Sequence, residues 1–233
     1  MTTRKDGTAA GLAGLAGLIG DETRAACLLA LLDGRAWTAS ELARHAGVAA
    51  STLSEHLGKL LAGGLLAEER QGRHRYVRLA DARVAQIVED LAAQVAPDAG
   101  AGRPRTLREA SAGSAMARGR TCYDHLAGRL GIAVTDALTA RGLLRQDTGF
   151  ALTDSGLAGI RLDREGRRPL ARACLDWTER RPHLAGVAGA ALCRHALDAG
   201  WCVRIGSERA VKVTTEGEHA LSQWLGIKAT ALR

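Results

Sequence analysis

The stretch WTASELARHAGVAASTLSEHLGKLLAGGLLAEERQGRHRYVRLA, residues 37–80, allows few folds. Thr38 opens T-A-S-E, a capping box with Glu41 three residues on. The helix it starts turns Leu42, Ala43 and Ala46 inward and stops at Gly47, a natural C-cap. After a short turn at Val48 and Ala49, a second helix is predicted from about Ala50 to Leu61. Leu53, Leu57, Leu60 and Leu61 fall on one face of it, at i, i+4, i+7 and i+8. The other side carries Ser51, Thr52, Ser54, Glu55, His56 and Lys59, all able to reach base edges or phosphates. Two strand-like runs follow, 65–70 and 75–79, around the turn QGRH, and Arg70, Arg73, His74, Arg75 and Arg78 crowd this hairpin. Two helices joined by a tight turn and followed by a basic hairpin make a winged helix-turn-helix. Its second helix suits the major groove of double-stranded DNA, and its wing suits the phosphate backbone.

The segments LIGDETRAACLLALLDG (18–34), ELARHAG (41–47), STLSEHLGKLLAGGLL (51–66) and QGRHRYVRL (71–79) together resemble the ArsR/SmtB transcriptional regulators, over residues 12–95. The resemblance implies a homodimeric repressor that leaves its operator DNA on sensing a signal. The sequence departs from that pattern at Ala49-Ala50, where the family's usual Ser-Gln would cap the recognition helix, and at Glu55, which faces the groove. The family's usual metal sites are also missing. No Cys-x-Cys-like motif lies near WTASEL, and residues 81–95 hold Asp81, Glu89 and Asp90 but no histidine. That last helix has an apolar stripe of Val84, Ile87, Val88, Leu91 and Val95, which suits a dimer interface with the lead-in helix.

Charge is unevenly placed. Residues 1–100 carry 11 Lys/Arg against 12 Asp/Glu, whereas residues 101–233 carry 21 against 13, so the basicity of the whole belongs to the second part. Seven aromatic residues are too few for a single-strand stacking platform. No run approaches the roughly 18 apolar residues of a spanning helix. The weakly apolar TAAGLAGLAGLIG is interrupted by glycines at 11, 14, 17 and 20 and followed by Asp21-Glu22, which reads as a helical lead-in of a cytoplasmic protein rather than an export signal or a membrane partner. Five cysteines, at 27, 122, 174, 193 and 202, make no CxxC pair and no disulfide framework.

APDAGAGRPRT (96–106) reads as a basic linker between a DNA-binding and dimerisation domain, 1–95, and a C-terminal sensing domain, 107–233. The C-terminal part repeats itself. HLAG occurs at 125–128 and 183–186, and each copy is followed by a glycine 14 residues after its own, Gly142 and Gly200. LLRQDTGFALTDSGLAGI and WCVRIGSERAVKVTTEGEHALSQWLG then each read as strand, turn, strand, helix, with Thr153-Asp154 and Thr214-Thr215 at the N-caps. Two helix–hairpin–helix repeats, about 120–165 and 170–230, follow, each winged-helix-like, with HLAG opening the main helix. The expected class is mainly α with small β-hairpins: an N-terminal winged helix-turn-helix followed by two winged-helix-like repeats.

A second echo has a different offset. Arg120-x-Cys122-x-Asp124 matches Arg172-x-Cys174-x-Asp176, 52 residues apart instead of 58, and both copies read as helical runs leading into HLAG. Cys122 and His125, three apart, would then share a helix face. Cys174 and His183 could complete a Cys2His2 set for zinc or another soft divalent metal. Packing and a thiol switch are the other readings of these four residues, and arsenite would want a third thiolate. Cys27, Cys193 and Cys202 read as core, and Trp177 and Trp201 as core anchors or the walls of an organic-ligand pocket. No enzymatic activity is expected. The alternatives to a DNA-binding regulator are an enzyme using Cys122, Asp124 and His125, and a winged helix that binds protein alone.

Overall fold

The computed structural model describes residues 7–71, 74–95, 107–147, 149–160, 168–206 and 209–232. The chain divides into two compact units, Met1–Val88 and Glu89–Arg233, so the division falls inside a helix, upstream of the expected boundary at 95. The linker at 96–106 lies outside the described residues.

The first unit begins with α1 (Gly7–Ile19), which buries none of its residues, and α2 (Glu22–Ala30). The short strand β1 (Trp37–Thr38) leads into α3 (Ala39–Ala46) and then α4 (Ala50–Ala62). The capping box is present. Thr38 Oγ1 accepts from the Glu41 amide, and Glu41 accepts from the Thr38 amide at 2.8 Å. Gly47 ends α3 with φ 71°, a left-handed turn that favours glycine. Leu53, Leu57 and Leu60 of α4 are buried with Leu28, Leu31, Leu32 and Leu42, which fixes which side of α4 faces outward. β2 (Leu66–Gln71) and β3 (His74–Leu79) pair antiparallel from Leu66 opposite Leu79 to Gln71 opposite His74. β1 adds to the far edge of β3, a pairing the sequence reading did not contain. α5 (Ala82–Ala92) then crosses from one unit to the other.

After α6 (Leu107–Arg118), the second unit passes twice through one order of elements. The first pass is β4 (Arg120–Cys122), β5 (His125–Ala127), α7 (Gly128–Ala140), β6 (Leu144–Arg145), β7 (Ala151–Leu152) and α8 (Asp154–Gly159). The second is β8 (Arg172–Leu175), β9 (Pro182–Ala185), α9 (Gly186–Asp198), β10 (Cys202–Arg204), β11 (Val211–Val213) and α10 (Thr215–Leu225). Thr153 and Thr214 cap α8 and α10 by accepting from the amides of Gly156 and Gly217. Leu130, Leu138, Leu144, Leu184, Leu192 and Leu221 share one core drawn from both passes.

This order corrects two expectations. His-Leu-Ala is the second strand of a hairpin in each pass, and the helix begins only at the glycine. The Arg-x-Cys segments are strands as well, not helical runs. Gly128 and Gly186 turn strand into helix at φ 71° and 86°, and a Cβ at either would lie 2.7 Å from a backbone carbonyl oxygen. The strict spacing of HLAG reflects this joint.

Candidate functional site

On α4, Ser51, Thr52, Ser54, Glu55 and Lys59 are exposed together, on the side opposite the buried leucines. The helix starts at Ala49 with no side-chain cap, so its first amides are left free to meet an anion. His56 does not join that face. Its Nδ1 lies 3.3 Å from Asp21 Oδ1 and 3.4 Å from an Arg24 guanidinium nitrogen, which turns the ring toward α2. On the wing, Arg70, Arg75 and Arg78 are exposed. Glu68 holds two of them, Arg75 at 2.6 Å and Arg70 at 3.2 Å, and these pairings hold its carboxyl below the ordinary range, the Arg70 hydrogen bond first. Arg78 donates to the carbonyls of Leu79 and Ala80. Arg73 and the His74 side chain lie outside the described residues.

The second site is built from two hairpins. In β4–β5, Cys122 stands directly opposite His125 across a two-residue turn. Tyr123 takes φ 57° there, the left-handed conformation such turns require. In β8–β9, Cys174 stands directly opposite His183. Directly opposed residues of an antiparallel pair project from the same face, so each hairpin presents one cysteine and one histidine side by side. The proximity of Cys122 and His125 thus comes from strand pairing, not from a helix turn as expected. The hairpins face each other. Cys122 Sγ lies 3.9 Å from Cys174 Sγ, and His125 Nε2 lies 3.1 Å from His183 Nε2. One ligand atom from each of the four lies within 4.8 Å of all the others, and all four residues are buried.

The electrostatics single out these groups. His125 Nδ1 lies 3.2 Å from Asp124 Oδ1, and His183 Nδ1 lies 3.4 Å from Asp176 Oδ2. The two Nε2 atoms face each other across 3.1 Å, an arrangement that calls for a proton or cation between them. The Cys122 thiol is raised above its ordinary value, first by its hydrogen bond with Cys174 and then by burial. Cys174 is pulled well below an ordinary thiol by that hydrogen bond, against the opposing effect of burial and with help from His125 and His183. Burial works against the charged form of His183, but Asp176 and Cys174 outweigh it and its pKa rises. A protonated, buried Cys122 is a poor nucleophile.

Behind the quartet lies a buried ionic network that the sequence did not announce. Asp176 Oδ2 accepts from Arg120 at 3.1 Å and from the Gly128 amide at 2.7 Å, while Oδ1 accepts from Thr178 and from the amides of Thr178 and Glu179. Arg120, fully buried, also donates to Glu89 on α5. Trp177 Nε1 donates to the same Glu89 oxygen, and the Trp177 ring lies 5.4 Å from the Arg120 guanidinium carbon. Trp177 is thus engaged by this network. Trp201 and Trp224 instead line a cleft of about 620 Å³ with Ile160, Leu192 and His195. Cys27, Cys193 and Cys202 are buried, and burial pushes their thiols up to about 11, 11 and 12. Among the described residues, no helix is long and apolar enough to cross a membrane.

Residues 19–69 match the family described as helix-turn-helix domain. The chain is 39% identical over 225 residues to the uncharacterized HTH-type transcriptional regulator YdfF of Bacillus subtilis, covering 93% of this chain and 98% of that one. It is 34% identical over 105 residues to the HTH-type transcriptional regulator CmtR of Mycobacterium tuberculosis, which spans 45% of this chain and 87% of CmtR. A solved homodimeric winged helix-turn-helix DNA-binding domain of Mycobacterium bovis, a possible ArsR-family regulator, is 26% identical over 38% of this chain and 81% of its own, with a TM-score of 0.34. The YdfF match runs through both units, so the second unit is part of what the two proteins share. The chain belongs to the HTH-type transcriptional regulators of the ArsR/SmtB kind.

Proposed function

We propose that this regulator is a homodimeric repressor whose C-terminal unit, read as two winged-helix-like repeats, senses a thiophilic divalent ion at Cys122, His125, Cys174 and His183. The mutual geometry of those four side chains carries the reading. Zinc binds sulfur at about 2.3 Å and imidazole nitrogen at about 2.0 Å, so a tetrahedral site sets S···S near 3.8 Å and N···N near 3.3 Å. The observed separations are 3.9 and 3.1 Å. Two soft and two borderline donors suit zinc or cadmium over magnesium or calcium. Asp124 lies against the outer nitrogen of the His125 imidazole, as the carboxylates that orient ligand histidines do in metal sites, and Asp176 Oδ2 lies 3.4 Å from that of His183. The ion would supply charge to offset the two thiolates and would join the two hairpins.

DNA contact falls to Ser51, Thr52, Ser54, Glu55 and Lys59 on α4 and to Arg70, Arg73, Arg75 and Arg78 with His74 on the wing, while His56 orients α4 through Asp21. Dimer formation is supported by apolar side chains left uncovered: Leu91 at 48% and Val95 at 54% exposure around the end of α5, and Leu12 at 67% on α1. The 3.9 Å gap between Cys122 and Cys174 also favours one second reading, a reversible disulfide.

Native mass spectrometry of protein purified without reductant or chelator separates these readings, run beside the double variant Cys122→Ser, Cys174→Ser. A dimer with one metal mass per chain, lost in the variant, is the expected result. A two-dalton loss per chain that the variant lacks makes the site a thiol switch. Apo protein of unchanged mass in both overturns the sensor reading.

A further inference from the structure

The buried network behind the quartet leads to α5. Glu89 Oε1 accepts three hydrogen bonds, from Arg120 Nε at 3.1 Å, Trp177 Nε1 at 3.0 Å and an Arg209 nitrogen at 2.7 Å. These donors come from three places: strand β4, the turn between β8 and β9, and the connection that leads into β11. Glu89 is only 2% exposed, and α5 is the one helix that belongs to both units. From Glu89 the contacts run without a break toward the ligands. Arg120 meets Asp176 Oδ2 at 3.1 Å, and that same oxygen lies 3.4 Å from His183 Nδ1. Arg120 is also two residues from Cys122 on β4, which puts both side chains on one face of the strand. One end of the network thus shares a strand with a cysteine of the quartet, and its middle touches a histidine.

The duplication shows that this arrangement is particular. Arg120 pairs with Ala127 in the first hairpin as Arg172 pairs with Ala185 in the second, so the two arginines are equivalent by position. Arg172 is exposed, whereas Arg120 is fully buried. Asp124 and Asp176 are likewise equivalent, yet Asp124 pairs with the half-exposed Arg168 and Asp176 with Arg120. The two copies diverge where one of them receives Glu89. Because solvent does not reach this network, a change in the position of His183 or Cys122 cannot be taken up by water and must alter the contacts of Arg120 and Glu89.

We infer that Glu89 is the positioning residue through which the state of the Cys–His quartet is transmitted to α5, and by α5 to DNA binding. This rests on the metal reading given above. Glu89 contributes no atom to the quartet itself; it hydrogen-bonds the Cys122 side chain and Arg120. It sets how the end of α5 is held, and α5 continues into the unit that carries α4 and the wing.

The test is a coupling measurement on the full chain. The DNA probe is a duplex obtained by in vitro selection on metal-free protein, and the metal probe is buffered zinc alone. Zinc should weaken DNA binding by the wild type roughly 5- to 150-fold, the usual span of allosteric coupling. Glu89→Gln should still take up zinc by native mass spectrometry while its DNA affinities with and without zinc agree within about twofold. Trp177 supplies an independent signal: zinc should shift tryptophan emission in the wild type, and Trp177→Phe should lose most of that shift. Should Glu89→Gln fail to fold, Arg209→Met and Trp177→Phe keep the carboxylate, remove one donor each and should reduce the ratio. A wild-type protein that takes up no zinc overturns both the metal reading and the coupling. A zinc-loaded wild type whose DNA affinity is unmoved, or a Glu89→Gln variant that keeps the wild-type ratio, overturns the coupling and leaves the metal site standing.

Discussion

Replacing Gly189 with alanine tests how the quartet is packed. Gly189 lies in the first turns of α9, where a Cβ would stand 2.5 Å from the Leu184 carbonyl oxygen, 3.0 Å from its carbon and 3.1 Å from His125 Cβ. Real Cβ atoms essentially never approach within 3.0 Å, so α9 and β9 must part by at least 0.5 Å, the difference between 3.0 and 2.5. The obstacle is backbone, which cannot rotate aside. Overpacking of this kind costs about 1–3 kcal/mol, and the helix gains about 1 kcal/mol from alanine over glycine, leaving a net loss of about 2 kcal/mol at the upper end. For a chain of this size that lowers Tm by roughly 4–8 °C. The control is Gly58→Ala in α4, where nothing lies within 4 Å and the propensity gain of about 1 kcal/mol should appear as added stability. Guanidinium unfolding followed by tryptophan emission reads both variants. The same shift should displace His125 and weaken zinc binding by at least about tenfold, as loss of the groups that orient a ligand does. A Gly189→Ala protein that is stabilised like Gly58→Ala would refute the packing argument.

Further outcomes follow from the wing and from the buried acids. Glu68→Gln frees Arg70 and Arg75, so binding to every duplex should tighten and its salt dependence steepen, whereas Arg75→Ala should weaken binding to all sequences and flatten the slope by about one unit. An unchanged slope in both would remove the wing from the phosphate backbone. Burial works against the charged forms of Glu89 and Asp176, but Arg209 and Arg120 outweigh it for Glu89, as His183 and Arg120 do for Asp176, so both titrate below the ordinary carboxylate range. A folded pKa below the unfolded one means that the unfolded chain takes up protons first. The stabilisation is therefore complete above about pH 5 and drains as pH falls below about 4. His183, shifted upward, acts with the opposite sign nearer neutrality, so the measurement belongs below pH 5. Denaturation midpoints of metal-free protein should drop between pH 5 and 3, less steeply in Glu89→Gln; a flat profile would count against the network.

The DNA-binding unit was legible because its signals are local. A capping box, a C-cap glycine and a leucine spacing each act within one turn of helix, and Thr38, Gly47 and α4 stand where those signals put them. His56 shows the limit. Its place on α4 was readable, but its turn toward Asp21 depends on α2, which the local pattern does not contain. Glu89 was harder still. It stands four residues from Ala85 and four from Ala93, and all three are buried, so a small–acid–small line runs beside the apolar stripe. Two alanines flanking an acid on one face mark a close approach by a partner, but the identity of Arg120 and Arg209 came only from the fold.

The helix face expected for Cys122 and His125 is a hairpin instead, and the spacings held that correction. A helix and a tight hairpin both bring residues i and i+3 together, so Cys122 and His125 alone cannot decide between them. The second copy can. Cys174 and His183 are nine apart, which no helix turn reconciles with three, whereas a hairpin absorbs the six extra residues in its turn and keeps the pairing. The cysteines repeat at 52 residues and the histidines at 58 for this reason. A single hairpin of this kind offers two ligands, too few for a closed tetrahedral site. Two copies facing each other supply four, with Gly131 and Gly189 letting each main helix approach the histidine of the opposite hairpin. The duplication and the quartet are therefore one feature: neither hairpin alone brings together more than two of the four donor atoms.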